Sequence, residues 1–272
     1  MQDILTCAMG LDIHRDVIVA CLAKGELGTD PEIEIRSFST LIPEMRKLRD
    51  WVLEAECRYV AMESTGIYWQ PIYEMLEPCF DGQISILIVN ARHMKNVPGR
   101  KTDMRDAQWI ATLLRAGLLK GSFIPDKTFR ELRHLTRYRK SIVRDITAQK
   151  NRIDKFLQSS GFRFTAFLSD AFGASGRNII RHLMEYGNIS REALDRCLKT
   201  QTRKRIDEIL IALNGSLSEH QRGFLRMIFG HLEALEQHRH TVEDAITKEI
   251  TKHEEALSLL CSIPGIDVTA AA

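Results

Sequence analysis

The sequence predicts an α/β domain followed by an all-α region. Two observations carry that reading. Up to about residue 124, short apolar, β-branched runs alternate with stretches of helical periodicity. Beyond Pro125 strand signals stop, and apolar spacings of three and four take over. The chain has 272 residues, 44% of them hydrophobic, enough to bury a sizeable core in one large domain or two smaller ones. The expected units are residues 1–124, 125–260 and a short remainder, 261–272.

Thr6 to Ile13 and Asp16 to Ala23 are apolar and β-branched, with a tight connection at His14 and Arg15. Glu32 to Phe38 alternates with period two, and Gly25, Gly28 and Pro31 mark the turn before it. An antiparallel meander is the natural assembly. Pro43 opens a helix through about Glu56, with Met45, Leu48, Trp51 and Val52 on its apolar face. Arg58 to Glu63 reads as a short buried strand, and Ile67 to Leu76 as a helix that ends before Pro78. Ile84 to Val89 is a continuous apolar run, as expected of a central parallel strand covered on both faces. Asn90 to Arg100 reads as a basic loop, followed by a helix through Trp109, Ile110, Leu113 and Leu114 to Gly117. Three strands, helix, strand, helix, strand, loop, helix is the layout of a ribonuclease-H-like domain, in which the first strand, the fourth strand and a late helix deliver acids to one edge.

That late helix opens on Lys101-Thr102-Asp103-Met104-Arg105-Asp106-Ala107-Gln108. Carboxylates three residues apart share a helix face, where they can grip one divalent cation or flank two. Asp12 in the first strand and Glu63 at the end of the fourth are the further acids such a site needs, and acids are depleted in strands. Asp12, Glu63, Asp103 and Asp106 form a candidate catalytic and metal site of oxygen ligands, suited to Mg²⁺ with Mn²⁺ as a substitute. The structural alternative for the last pair is an N-cap at Asp103 and a first-turn acid at Asp106, both favoured by the unpaired N–H groups there.

Charge is nearly balanced, with 38 Lys and Arg against 36 Asp and Glu. The sum announces no partner; the distribution does. Arg92, Lys95, Arg100, Lys101 and Arg105 surround the candidate acids, and Arg133, Arg137, Lys140 and Arg144 share one face of the following helix. All nine are candidate nucleic-acid contacts, the plainer alternative for the last four being a solvated charged face. No apolar run approaches the length of a bilayer span, and the N-terminus lacks a signal-peptide layout. Six dispersed cysteines, with no C-x-x-C, point away from a zinc module or disulfide framework and toward a reducing cytoplasm.

In the second region Leu132, Leu135, Arg139, Ile142, Ile146, Gln149, Ile153 and Phe156 form an a/d seam with two polar positions. A long helix packed on its own domain is the alternative. Helices are also expected over Arg177 to Tyr186, Arg191 to Leu213 and Ser218 to Leu260. The last carries a second heptad, Leu225, Ile228, Leu232, Leu235, Val242 and Ile246, broken by Arg239. Two long helices split by a small insert suggest an antiparallel coiled coil within one chain, or an arm for dimerisation.

Gly10-Leu11-Asp12-Ile13-His14, Glu63-Ser64-Thr65-Gly66, Asn90-Ala91-Arg92, and Lys101-Thr102-Asp103 through Asp106-Ala107 together resemble the N-terminal domain of the IS110/IS1111 family of bacterial insertion-sequence transposases. The resemblance covers residues 5 to 120 closely, and the helical region and Ile263-Pro264-Gly265 more loosely. It implies a RuvC-like domain over 1–124 whose Asp-Glu-Asp-Asp metal set maps onto Asp12, Glu63, Asp103 and Asp106. It implies a coiled-coil region over 125–260 and a C-terminal domain with a nucleophilic serine, of which 261–272 is the helix-hairpin-helix-like start. Neither Ser64 nor Ser262 matches the family's serine motif, so no nucleophile is expected within residues 1–272. The implied partners are DNA, both element ends and target, and a structured guide RNA encoded by the element. A homo-oligomer through the coiled coil and a bacterial cytoplasmic location follow from the same resemblance.

The expected function is a metal-dependent DNA transposase or recombinase. The competing readings are a non-catalytic nucleic-acid-binding and oligomerisation fragment, and a RuvC-like metal-dependent nuclease. A sugar-kinase or actin-like ATPase also begins with an Asp-bearing strand and hairpin, but needs glycines beside that Asp to admit phosphates. Here His14 and Arg15 follow it.

Overall fold

The computed structural model describes residues 4–64, 66–90, 106–267 and 271. The chain divides into two compact units, Met1–Pro125 and Asp126–Ala272.

In the first unit β1 (Cys7–Ile13), β2 (Val17–Lys24) and β3 (Glu32–Ser39) form the expected antiparallel meander. Helix α1 (Ile42–Glu54), strand β4 (Tyr59–Glu63), helix α2 (Trp69–Leu76) and strand β5 (Ser85–Val89) follow, then helix α3 (Asp106–Arg115). The sheet order is β3-β2-β1-β4-β5, with β4 parallel to both β1 and β5. Side chains alternate across it. Met9, Leu11, Ile13, Val60 and Met62 pack on Leu48, Trp51 and Val52 of α1 and on Ile72 and Leu76 of α2. Ala8, Ala61 and Val89 face the other way, onto Ile110 and Leu114 of α3.

The α3 face of the sheet is lined by small residues, which lets helix and strand backbones meet. A Cβ built on Gly10 would lie 2.2 Å from the Ala107 carbonyl oxygen and 2.4 Å from the Ala111 nitrogen. No side chain fits there. The other end of α3 is tied by Arg115, whose guanidinium is buried. Its Nε donates to Leu5 O at 3.0 Å, and its Nη2 donates to Gly25 O at 3.2 Å and Glu26 O at 2.8 Å. Arg115→Ala strips three carbonyls of a charged donor and is expected to lower unfolding free energy by about 3 kcal/mol. A shift in the urea midpoint with an unchanged slope is the readout.

One expectation for the sheet is corrected. Strand β5 is an edge strand, not a central one, and β1 holds the middle position. The apolar run misleads because both faces of β5 are nonetheless covered: Ile86 and Ile88 belong to the α1/α2 layer, Leu87 and Val89 to the α3 layer. Beyond its outer edge the described residues add an isolated bridge, Val89 with Gly121.

The second unit is helical. Helix α4 (Lys127–Ser159) starts on an Asp126 side chain that accepts from the Phe129 N–H. After it come α5 (Ala174–Tyr186), α6 (Arg191–Cys197), α7 (Thr200–Arg203), α8 (Ile206–Ala212), α9 (Glu219–Ile250) and α10 (Glu254–Cys261). Helix α9 opens with a capping box between Ser218 and Gln221. Helices α4 and α9 pack antiparallel. Arg139 meets Glu243, Gln149 donates to Ile228 O, Phe156 packs on Phe224, and Gln221 donates to Ser160 Oγ, so one helix ascends as the other descends.

Both polar seam positions find partners. Arg139 and Arg239 each lie within ion-pair distance of Glu243, and buried Gln149 is satisfied by a backbone carbonyl. Two helix expectations are corrected. The stretch Arg191 to Leu213 is three short helices, because Leu198 and Lys199 are extended: Leu198 turns into the core and the Lys199 N–H donates to Ser175 Oγ. The stretch from Ser218 breaks after Ile250 into a 3₁₀ turn, Thr251–His253. There the Thr251 hydroxyl bonds back to the Thr247 and Lys248 carbonyls, a bonding mode that bends helices.

Candidate metal centre and basic helix face

The parallel register places two of the four candidate acids. Gly10 pairs with Ala61 and Leu11 with Met62, so Asp12 and Glu63 occupy the next positions of neighbouring strands, about 4.8 Å apart in the ladder direction. Asp12 follows Ala8 and Gly10 at steps of two, and Glu63 follows Ala61. Both therefore stand on the face that α3 covers. Helix α3 begins at Asp106, and the next residue, Ala107, is the one pressed against Gly10. Asp106 thus starts the helix beside the strand that carries Asp12, in the first-turn position that the alternative reading also gives it.

Asp103 lies outside the described residues, as do Arg92, Lys95, Arg100, Lys101 and Arg105. Among the described residues no group of three or more His, Cys, Asp or Glu side chains is close enough to hold a metal ion. The two candidate acids that the register sets side by side, Asp12 and Glu63, are carboxylates, and oxygen donors suit a hard divalent cation over zinc or copper.

The other candidate residues stand on α4, in the second unit. Arg133, Arg137, Lys140 and Arg144 are all exposed, and their side chains form no ion pair or hydrogen bond among the described residues. The contrast with neighbouring arginines is informative. Arg139, Arg177, Arg181, Arg191, Arg203, Arg205, Arg222 and Arg226 each pair with an acid. Lys155 continues the unpaired stripe, four residues after exposed Asn151. From Arg133 to Lys155 the stripe spans roughly 33 Å of helix.

Sequence reasoning missed three contributors. The small residues Gly10, Ala107 and Ala111, two of them one helical turn apart, were a readable sign of a close helix–strand crossing. Arg115 gave no local signal, because its acceptors lie about ninety or more residues away in sequence. His14, whose Nε2 lies 3.2 Å from Asp12 Oδ2, stood in view as part of the strand connection but carried no assigned role.

These features define an α/β protein with Asp12 and Glu63 on adjacent strand ends of a mixed sheet, followed by a helical unit with a basic face that is unpaired among the described residues. Residues 9–161, more than half of the chain, match the IS110-type DEDD transposase family, described as a transposase. The chain belongs to this family, and transposase is the function that membership supports. No curated protein matches it. Among the described residues, no helix is long and apolar enough to cross a membrane.

Proposed function

We propose that this transposase cuts and exchanges DNA strands with the help of a divalent cation held by Asp12, Glu63, Asp103 and Asp106. The observation that carries the reading is the β1–β4 register, which sets Asp12 and Glu63 side by side on the face where α3 starts at Asp106. The oxygen-only donor set fits Mg²⁺, or Mn²⁺ in its place. When bound, such an ion supplies Lewis-acid stabilisation of charge on phosphate oxygens. The chain's own acids bind and orient it, and we assign no residue the role of nucleophile.

The strand order 3-2-1-4-5, three antiparallel strands and then two parallel ones, supports a ribonuclease-H/RuvC-like first domain. The exposed stripe on α4 supports a phosphate-binding surface for DNA or for a structured guide RNA. The α4/α9 hairpin, with heptad seams on both helices, supports a coiled coil that also serves homo-oligomerisation. The work belongs in the bacterial cytoplasm, where DNA and Mg²⁺ meet.

Glu63→Gln keeps shape and removes the charge. Transposition of a reporter element by the full protein is expected to fall at least tenfold, while DNA affinity stays at the parent level. Parent-level transposition in that variant would remove Glu63 from the site.

A further inference from the structure

We propose that the cleft between α3 and the β2–β3 turn receives one unpaired base of a DNA single strand, stacked on Trp109 and read by Asp30, with guanine preferred. The inference rests on the DNA-binding reading above and not on the cation. The cleft measures about 450 Å³, within the range of sites that enclose small organic groups. Ala23 and Ile33 of the sheet, Asp30 and Pro31 of the turn, and Gln108 and Trp109 of α3 line it.

Its walls are fixed by bonds that leave the lining side chains unused. Arg115 Nη2, at the far end of α3, donates to Gly25 O at 3.2 Å and Glu26 O at 2.8 Å, which ties the turn to the helix. Within the turn the Thr29 hydroxyl donates to Glu26 O at 3.0 Å. Among the described residues, the Trp109 indole N–H, the Gln108 amide and the Asp30 carboxylate make no hydrogen bond or ion pair. Trp109 is half-buried, so part of the indole stays open to a ligand.

The chemistry of these groups selects that ligand. An indole offers a π face on which any base can stack. An ionised carboxylate accepts hydrogen bonds and donates none. Of the four DNA bases, guanine alone presents two adjacent N–H donors on its pairing edge, N1–H and the N2 amino group, which match the two oxygens of one carboxylate. In a duplex that edge is occupied, so the cleft takes an unpaired base. The same carboxylate repels phosphate, which favours entry of the base over the backbone. Asp12 pairs with Val19, and Ala23 stands four residues further along β2, about 13 Å away. A strand with its base in the cleft is thereby anchored a short way from the acid end of the sheet.

The test is equilibrium binding, in EDTA, of a short dye-labelled oligothymidine carrying one central guanine, followed by fluorescence anisotropy. The parent is expected to bind it several-fold more tightly than the all-thymidine strand. Trp109→Ala is expected to weaken both strands about tenfold, and Trp109→Phe, which keeps a ring, to recover most of the loss. Asp30→Asn is expected to erase the guanine preference and leave all-thymidine affinity at the parent level. Asp30 is exposed, so this variant tests the proposal even where Trp109→Ala fails to fold. Parent-level single-strand binding in a folded Trp109→Ala protein, or a guanine preference that survives in Asp30→Asn, overturns the proposal. Tighter binding of the matching RNA strand overturns the assignment to DNA. A parent that binds duplex DNA but no single strand overturns the cleft and leaves the DNA reading standing; one that binds neither overturns that reading as well.

Discussion

Gly10→Ala is expected to destabilise the first unit by about 3 kcal/mol and, in the same step, to weaken metal binding at the proposed site. The added methyl would sit 2.2 Å from the Ala107 oxygen and 2.4 Å from the Ala111 nitrogen. Both are backbone atoms, so no rotamer change relieves the clash. Overpacking of a close-packed interior costs about 1–3 kcal/mol and occasionally more, and here the only relief is for α3 to lift from β1. That movement carries Asp106 away from Asp12 and Glu63, which belong to the sheet. Gly230→Ala is the control: nothing lies within 4 Å of its added Cβ, and the position is inside helix α9. It is expected to stabilise by about 0.5–1 kcal/mol. Urea unfolding of both variants, with Mn²⁺ affinity measured on Gly10→Ala under conditions where it remains folded, checks the pair. A Gly10→Ala protein with parent stability would show that helix and strand are not in backbone contact.

The second expectation concerns the α4 stripe. Replacing Arg133, Arg137, Lys140 and Arg144 together by Gln should leave stability near the parent value, because none of the four side chains has a partner to lose among the described residues. Affinity for duplex DNA should fall steeply. If each residue neutralises one phosphate, the slope of log K against log salt concentration should flatten by about 0.9 per residue, or roughly 3.6 in all. Equivalent Gln replacements at Arg181 and Arg226, which already pair with Glu233 and Glu219, should change that slope little. Equal slopes for the parent and the four-residue variant would make the stripe a solvated face and nothing more.

Much of the first unit is legible in the chain because its strands are half-buried. The alternation of Met9, Leu11 and Ile13 against Ala8, Gly10 and Asp12 encodes both faces of β1, and with them the side on which Asp12 stands. Position within the sheet is less legible. An apolar run such as Ser85–Val89 reports that both faces are covered, not whether another strand lies beyond it. Helix ends in the second unit are not legible where side chains compete with the backbone, as the Thr251 hydroxyl does, or where a distant acceptor such as Ser175 Oγ captures an N–H. Polar seam residues read as weaknesses because their partners, Glu243 for Arg139 and the Ile228 carbonyl for Gln149, lie about eighty to a hundred residues away. At the acid site the sequence supplies the residue types and the strand ends; the side-by-side placement of Asp12 and Glu63 comes from the β1–β4 register, which no local pattern specifies.

The most direct test of the metal site is a crystal of the protein soaked in Mn²⁺, with the ion located by its anomalous scattering. One or two Mn²⁺ ions are expected at the β1–β4 end of the sheet, with oxygens of Asp12 and Glu63 among the ligands at roughly 2.0–2.6 Å. Mn²⁺ bound elsewhere, with the Asp12 and Glu63 carboxylates about 10 Å apart and out of shared reach of one ion, would contradict it.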